Sequence, residues 1–229
     1  MKKPKITKKR NTHQAQQYKK SNQIELETFL YFPTAIHATN LPEFLHAANQ
    51  VSKEFLSKQT HEINDVYPVR MTGQIYNDER LSEFCDTILD LGWNVLDQQG
   101  YDMQHFRVIL TEMWVQQHHK YSLMEHHVHG GDQLVGFYFL KAPKNGSKPI
   151  FYDPRPAKVI TDLPLKPSPE INAATNIINF EPEPGRMFIS NSFLPHSFSK
   201  NASDEPTEFI HFNLKVIPYF KETCEVEII

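Results

Sequence analysis

The chain has two parts that differ in the spacing of their apolar residues. In the first part, apolar side chains recur every three or four residues over 41–58 and 79–99, which predicts two amphipathic helices. Asn40 is placed to cap the first helix and Gly100 to end the second. An earlier segment, 25–37, is rich in β-branched and aromatic residues and predicts a short strand.

From about residue 105 the apolar residues alternate with polar ones or form short runs. Clusters of Pro, Gly, Asn and Asp separate these segments, which predicts strands at 105–119, 132–142, 147–153, 176–182, 185–192 and 207–217. Six strands in succession after a helical part favour an antiparallel barrel or jelly roll with helices packed outside it. The predicted fold class is therefore mostly β with flanking helices. It forms one domain over 23–229, with a helical front at 23–104 and a barrel at 105–220.

Charge changes this picture only at the N-terminus. The formal net charge is −3, yet the first twenty residues contain eight Lys or Arg and no acidic residue. The rest of the chain holds 16 basic and 27 acidic residues. We expect residues 1–22 to be a disordered basic tail. No nucleic-acid partner is expected other than through this tail, because the acidic body repels polyanions.

Membrane and disulfide-rich classes are not indicated. No apolar run reaches the ~18–20 residues that cross a bilayer, and the N-terminus lacks the apolar core of a signal peptide. Cys85 and Cys224 lie far apart and form no metal-binding or redox spacing. The expected location is a reducing cytoplasm.

Three histidines precede the strand predicted at 132–142. In the segment HHVHGGD, alternation directs His127 and His129 to one face and His126 to the other. Two imidazoles on one face provide half of a metal site, and facial coordination of non-haem Fe(II) leaves positions open for substrate and O₂. The competing interpretation is a solvated His-rich loop.

A third ligand has to come from a neighbouring strand. The best candidate is His196, which follows the strand predicted at 185–192 and stands directly after a proline. Asp132, three residues beyond His129, is an alternative or additional carboxylate ligand. The sequence leaves open whether Asp132 belongs to the metal or to the turn.

Four segments in this order resemble a group of bacterial and phage oxygenases that depend on 2-oxoglutarate and Fe(II) and are related to the prolyl hydroxylases. They are HVHGGDQLVGFYFL, FYDPR, PGRMFISNSFLPH and HFN, within residues 105–216. The resemblance implies a double-stranded β-helix, or jelly roll, that holds Fe(II) at its open end. It also implies 2-oxoglutarate bound to the iron, O₂ as the oxidant, and hydroxylation of a peptide, protein or small-molecule substrate in a bacterial cytoplasm.

Two positions depart from the usual pattern of such oxygenases. Most use His-x-Asp/Glu…His to hold iron, whereas His129 stands here in the middle position, so we favour His127, His129 and His196 with Asp132 in reserve. The Arg or Lys that normally pairs with the far carboxylate of 2-oxoglutarate is replaced by Thr207. The remaining candidates for binding the cosubstrate are Tyr138, Lys141, Arg155, Thr207, His211, Asn213 and Lys215.

Two other functions remain open at this point. A cupin also begins with His-x-His followed by a carboxylate, and it would use Asp132 as a fourth ligand and have no need of 2-oxoglutarate. A jelly-roll binding protein without catalytic activity is the third possibility, and the missing basic anchor is its main support.

Overall fold

The computed structural model describes residues 27, 29, 32–60, 68–160, 163–167 and 170–219. The chain divides into two compact units, Met1–Pro33 and Thr34–Ile229, and the elements below belong to the second. The predicted basic tail at 1–22 lies outside the described residues, as do residues 25, 26, 28, 30 and 31 of the strand predicted at 25–37. A strand does occur nearby, and it begins at Ile36, after Pro33.

Both predicted helices are confirmed. Helix α1 spans Leu45–Ser57 and helix α2 spans Ser82–Gln98, and each follows a short 3-10 turn. Their buried stripes, which include Val51 and Ile88, pack on the larger of two sheets. Gly92 allows this close approach, since a Cβ at that position would stand 2.6 Å from Leu214 Cδ1. Neither helix, nor any other in the described part of the chain, is long and apolar enough to span a membrane.

Within the described residues, ten strands form two sheets in which all neighbours are antiparallel. The larger sheet has the order β1-β8-β5-β10-β3-β2 and the smaller sheet β4-β9-β6-β7. The strands are β1 (Ile36–Asn40), β2 (Val69–Met71), β3 (Phe106–His118), β4 (Met124–His127), β5 (Leu134–Lys141), β6 (Pro149–Tyr152), β7 (Ile177–Asn179), β8 (Arg186–Asn191), β9 (His196–Phe198) and β10 (Thr207–Pro218). This is the predicted jelly roll with helices packed outside it. All six predicted barrel strands are present, and the short strands β2, β4 and β9 were not predicted.

The larger sheet is buried on both faces. Its outer face packs against the helices through side chains such as Leu134 and Tyr138. Its inner face points at the smaller sheet, and six phenylalanines from both sheets meet there in what we call the aromatic cluster. Its members are Phe137, Phe139, Phe151, Phe188, Phe198 and Phe209. Every residue from Leu134 to Leu140 is therefore buried.

Candidate metal centre

Two of the predicted ligands lie on adjacent strands of the smaller sheet. His127, the last residue of β4, is the register partner of His196, the first residue of β9. The chain then turns through Gly131, whose φ of 87° suits glycine. The backbone N–H of His129 in this turn donates to the Ser192 carbonyl at 3.0 Å. Strand pairing and this hydrogen bond bring all three histidines to one end of the space between the sheets.

The three imidazoles form a compact group. A potential ligand nitrogen of each lies within 4.8 Å of the others. The ring centroids of His127 and His196 are 4.4 Å apart, and the rings of His129 and His196 are nearly parallel at 5.2 Å. Three nitrogen donors at this separation can bind one ion on a single face, which suits a divalent metal with open positions.

Hydrogen bonds fix which nitrogen is free in two of the three rings, those of His127 and His196. His127 Nδ1 contacts the Glu125 carbonyl at 2.7 Å and His196 Nδ1 contacts the Leu194 carbonyl at 3.0 Å. A backbone carbonyl only accepts, so each Nδ1 carries the proton and each Nε2 offers a lone pair. Among the described residues, Nε2 of His129 and Nε2 of His196 are buried and have no hydrogen-bond partner. A metal ion would satisfy both atoms.

Burial also keeps two of the ligands, His129 and His196, in the neutral form that metal coordination requires. Loss of solvent lowers the pKa of His129 and of His196 to about 4. Both imidazoles are therefore neutral near pH 7, as coordination demands. The donor set, its geometry and its protonation fit a metal such as Fe(II).

Asp132, the reserve ligand, lies outside this group. Its carboxylate accepts a hydrogen bond from the Thr111 hydroxyl at 2.9 Å, and its carbonyl accepts one from the Ser192 hydroxyl. These contacts tie the turn after His129 to β3 and to the end of β8. The structure thus gives Asp132 a role in the turn and leaves three imidazoles as the grouped ligands.

A fourth buried imidazole lies beside the triad. The ring of His211, on the inner face of β10, is 4.9 Å from the ring of His129 and stacks on Trp114 of β3 at 4.0 Å. Burial places its pKa well below the ordinary value, so His211 is neutral and brings no positive charge for a carboxylate. Asn213, two residues further along β10, is also buried and donates from Nδ2 to Glu112 Oε2 at 2.7 Å.

Of the three basic candidates for binding the cosubstrate, two have carboxylate partners and the third is exposed. Lys141 Nζ is 3.2 Å from the buried Glu208 carboxylate, Arg155 is exposed and pairs with Asp153 at 2.7 Å, and Lys215 is exposed near the end of β10. Arg155 also holds the pKa of the Asp153 carboxyl below its ordinary value. Lys141 and Arg155 are therefore each paired with a carboxylate of the chain.

Two uncharged candidates also have other roles. The Tyr138 hydroxyl donates to the Leu41 carbonyl at 2.7 Å, so this side chain points to the helices and not into the site. The prediction that Tyr138 binds the cosubstrate is corrected accordingly. Thr207 is on the inner face but deep in the sandwich, where its hydroxyl accepts from the Ser147 backbone N–H at 2.8 Å.

An open groove that includes the turn after His129 was not predicted from the sequence. It has a volume of about 480 Å³, the turn residues Asp132 and Ser192 line it, and none of the three grouped histidines does. Tyr101, Phe106 and Phe193, which are 58%, 40% and 58% exposed, supply its apolar wall. Trp114 was likewise not assigned to the site. Residues two apart on a strand share a face, so Trp114 lies on the same face of β3 as Glu112 and Gln116. That pattern was the sequence signal that could have identified it.

Comparison with known proteins agrees with this geometry. Residues 112–213 match a protein family described as "Putative 2OG-Fe(II) oxygenase". None of the curated proteins matches the chain. The alpha-ketoglutarate-dependent carbocyclase SnoK from nogalamycin biosynthesis is 12% identical, with a TM-score of 0.58 over 81% of this chain and 82% of that one.

Two prolyl hydroxylases share the fold as well. The prolyl-4-hydroxylase of Pseudomonas putida is 11% identical, with a TM-score of 0.54 over 80% of this chain and 92% of that one. A prolyl hydroxylase of Trichoplax adhaerens, in complex with a peptide fragment of hypoxia inducible factor, is 9% identical, with a TM-score of 0.51 over 78% and 82%. At these identities the likeness shows the jelly-roll fold.

Proposed function

We propose that this chain, whose residues 112–213 form a domain of the 2OG-Fe(II) oxygenase family, hydroxylates a side chain of a peptide or protein. The family assigns Fe(II), 2-oxoglutarate and O₂ as the cofactor and cosubstrates. The observation that carries the proposal is the group of three imidazoles, in which two buried Nε2 atoms have no partner among the described residues.

The chain's own residues have distinct tasks at this site. His127, His129 and His196 would hold the iron, which together with 2-oxoglutarate and O₂ supplies the oxidant that inserts oxygen into a C–H bond. The carbonyls of Glu125 and Leu194 orient two of the ligands through Nδ1. The aromatic cluster excludes water from the space behind the ligands, because Phe137 contacts His196 edge-on at 5.3 Å.

The position that usually supplies an Arg or Lys for the far carboxylate of 2-oxoglutarate holds no basic residue in this chain. Thr207 replaces the basic residue, and Lys141 and Arg155 are each paired with a carboxylate of the chain. A buried carboxylate without a cation is costly. This observation favours the cupin-type metalloenzyme, which needs no 2-oxoglutarate, as the second candidate function.

The groove lined by Asp132 and Ser192 supports a polymeric substrate. Its apolar wall is exposed, and its volume of about 480 Å³ suits several side chains of an extended peptide. Asp102 and Asp132 are its charged residues, so the preferred peptide would be neutral or basic. The Trichoplax adhaerens relative, whose structure contains a peptide, agrees with this choice.

Anaerobic titration tests the assignment directly. Iron-loaded protein that binds 2-oxoglutarate to the metal should develop the weak visible charge-transfer band of such complexes, and His196→Ala should not. Succinate release with candidate peptides would then identify the substrate. Folded, iron-loaded protein that shows no band would contradict the 2-oxoglutarate assignment and favour the cupin-type function.

A further inference from the structure

Three polar atoms beside the metal centre have no hydrogen-bond partner within the described part of the chain. They are Trp114 Nε1, His211 Nδ1 and Asn213 Oδ1, all buried on the inner faces of β3 and β10. We call these three residues the polar row. Buried polar atoms in folded proteins are nearly always hydrogen-bonded, so several neighbouring exceptions call for a ligand.

The row lies next to the proposed iron ligands. Strand register sets His211 opposite Trp114 and Asn213 opposite Glu112. His211 stacks on Trp114 with an interplanar angle of 18° and approaches the His129 ring at 4.9 Å. A molecule bound along the row would therefore lie within reach of the metal.

Glu112 determines what the row can offer a ligand. The Asn213 amide donates from Nδ2 to the Glu112 carboxylate at 2.7 Å, which leaves Oδ1 on the other side as an acceptor. The indole Nε1 of Trp114 is a donor only. The row thus presents one fixed donor and one fixed acceptor, with His211 Nδ1 between them able to take either role.

We propose that the polar row binds a peptide group of the substrate. The peptide carbonyl accepts from Trp114, and the peptide N–H donates to Asn213 Oδ1. A carboxylate fits poorly, because it only accepts and would leave Asn213 Oδ1 without a donor. The negative charge of Glu112 disfavours it further. This inference rests on the proposed function and names the group by which the substrate is recognised.

Trp114 itself provides the measurement. The chain has two tryptophans, and Trp93→Phe leaves the indole N–H of Trp114 as the only one. Zinc in place of iron keeps the loaded protein diamagnetic. We expect N-methylacetamide to produce a saturable downfield shift of the Trp114 indole proton in the NMR spectrum, and acetate to produce none at the same concentration.

Two variants sharpen this test. Asn213→Leu should weaken the response to N-methylacetamide by about tenfold or more, because the amide N–H loses its acceptor, while Asn94→Leu on the exposed surface of α2 serves as the control. Glu112→Gln, at an exposed position, frees the Asn213 amide to turn its Nδ2 towards the ligand. That variant should then respond to acetate.

Each outcome decides the inference. A shift with acetate but not with N-methylacetamide in the Trp93→Phe protein would make the row a carboxylate site. If no probe shifts the Trp114 proton, the polar row binds no ligand and is only part of the packed core. Zinc content and the iron–2-oxoglutarate band are measured in the same variants. A failure of the peptide-group inference is thereby separated from a failure of the proposed function.

Discussion

The two ends of the space between the sheets are built from the same strands but have opposite chemistry. On β9, His196 faces the metal centre and Phe198, two residues later, joins the aromatic cluster. On β10, His211 belongs to the polar row and Phe209 stacks on Phe198 at 4.5 Å. A step of two residues along each strand changes the inner face from imidazole to phenyl.

Buried histidines at the two ends show what distinguishes a functional one. At the aromatic end, His118 is fully buried, and both of its ring nitrogens have partners, Gln116 at 2.7 Å and Ser147 at 3.1 Å. His196 at the open end is equally buried, but its Nε2 has no partner among the described residues. Burial alone therefore does not mark a ligand, and His196 is distinguished by an unsatisfied Nε2 that lies close to the ring nitrogens of two other histidines.

The largest expected effect is at the aromatic end. Phe209 is fully buried against Phe139 and Phe198. Phe209→Ala should lower the free energy of unfolding by about 3–5 kcal/mol through lost burial and a residual cavity. Chemical denaturation measures this, and Phe106→Ala, at a position 40% exposed, should cost much less. A loss of bound metal at full stability in Phe209→Ala would contradict the division between the two ends.

At the open end the effect should fall on the metal. His196→Ala removes one of three ligands and should weaken metal binding by more than about 100-fold, beyond the loss typical of an outer-shell change. Metal analysis after dialysis measures it. His126→Ala is the matched control, since His126 contacts Tyr152 and is not among the grouped ligands. Equal metal content in His196→Ala and the unsubstituted protein would show that the triad is wrong.

The pH dependence of stability isolates His118. Burial lowers the pKa of His118 from 6.5 to about 3 in the folded protein, so below pH 6.5 the unfolded chain takes up a proton that the folded protein does not. The free energy of unfolding should therefore decrease as the pH falls from 6.5 towards 3, by up to about 1.4 kcal/mol per pH unit from this group. In metal-free protein, the free energy of unfolding should fall between pH 7 and pH 5 by about 2 kcal/mol less in His118→Gln than in the unsubstituted protein. If the free energy of unfolding depended on pH identically in the two proteins, His118 would have to take up its proton in the folded state as well.

The smallest effect is expected at Arg155. Its ion pair with Asp153 is exposed on the arginine side, so Arg155→Ala should change the free energy of unfolding by no more than about 0.5 kcal/mol. Titration of the iron–2-oxoglutarate band should give an unchanged affinity. A marked loss of affinity would instead return Arg155 to the cosubstrate site.

Periodicity predicted the helices and the long strands because each has one clear apolar stripe or a continuous buried run. It could not orient β5. Residues Leu134 to Leu140 are buried on both faces, so alternation carries no direction, and the sequence left open whether Tyr138 faces the site. The short strands β2, β4 and β9 have three or four residues each, too few to show a period.

The grouping of His127, His129 and His196 was predicted from alternation and from likeness to a family, and the structure brings the three together. The surroundings of this group could not be predicted, because they depend on strand register. Trp114 meets His211 only through the pairing of β3 with β10, and Glu112 fixes the Asn213 amide for the same reason. Spacing along one strand says nothing about its partner on the next.

The pairing of His127 with His196 also orders events during synthesis. The two ligands are separated by most of the barrel sequence and meet only when β4 and β9 are adjacent. A ribosome makes His127 long before His196, so the growing chain passes through a stage with two imidazoles and no closed site. The three-histidine site therefore cannot form until β9 has paired with β4, so metal binding would stabilise this pairing.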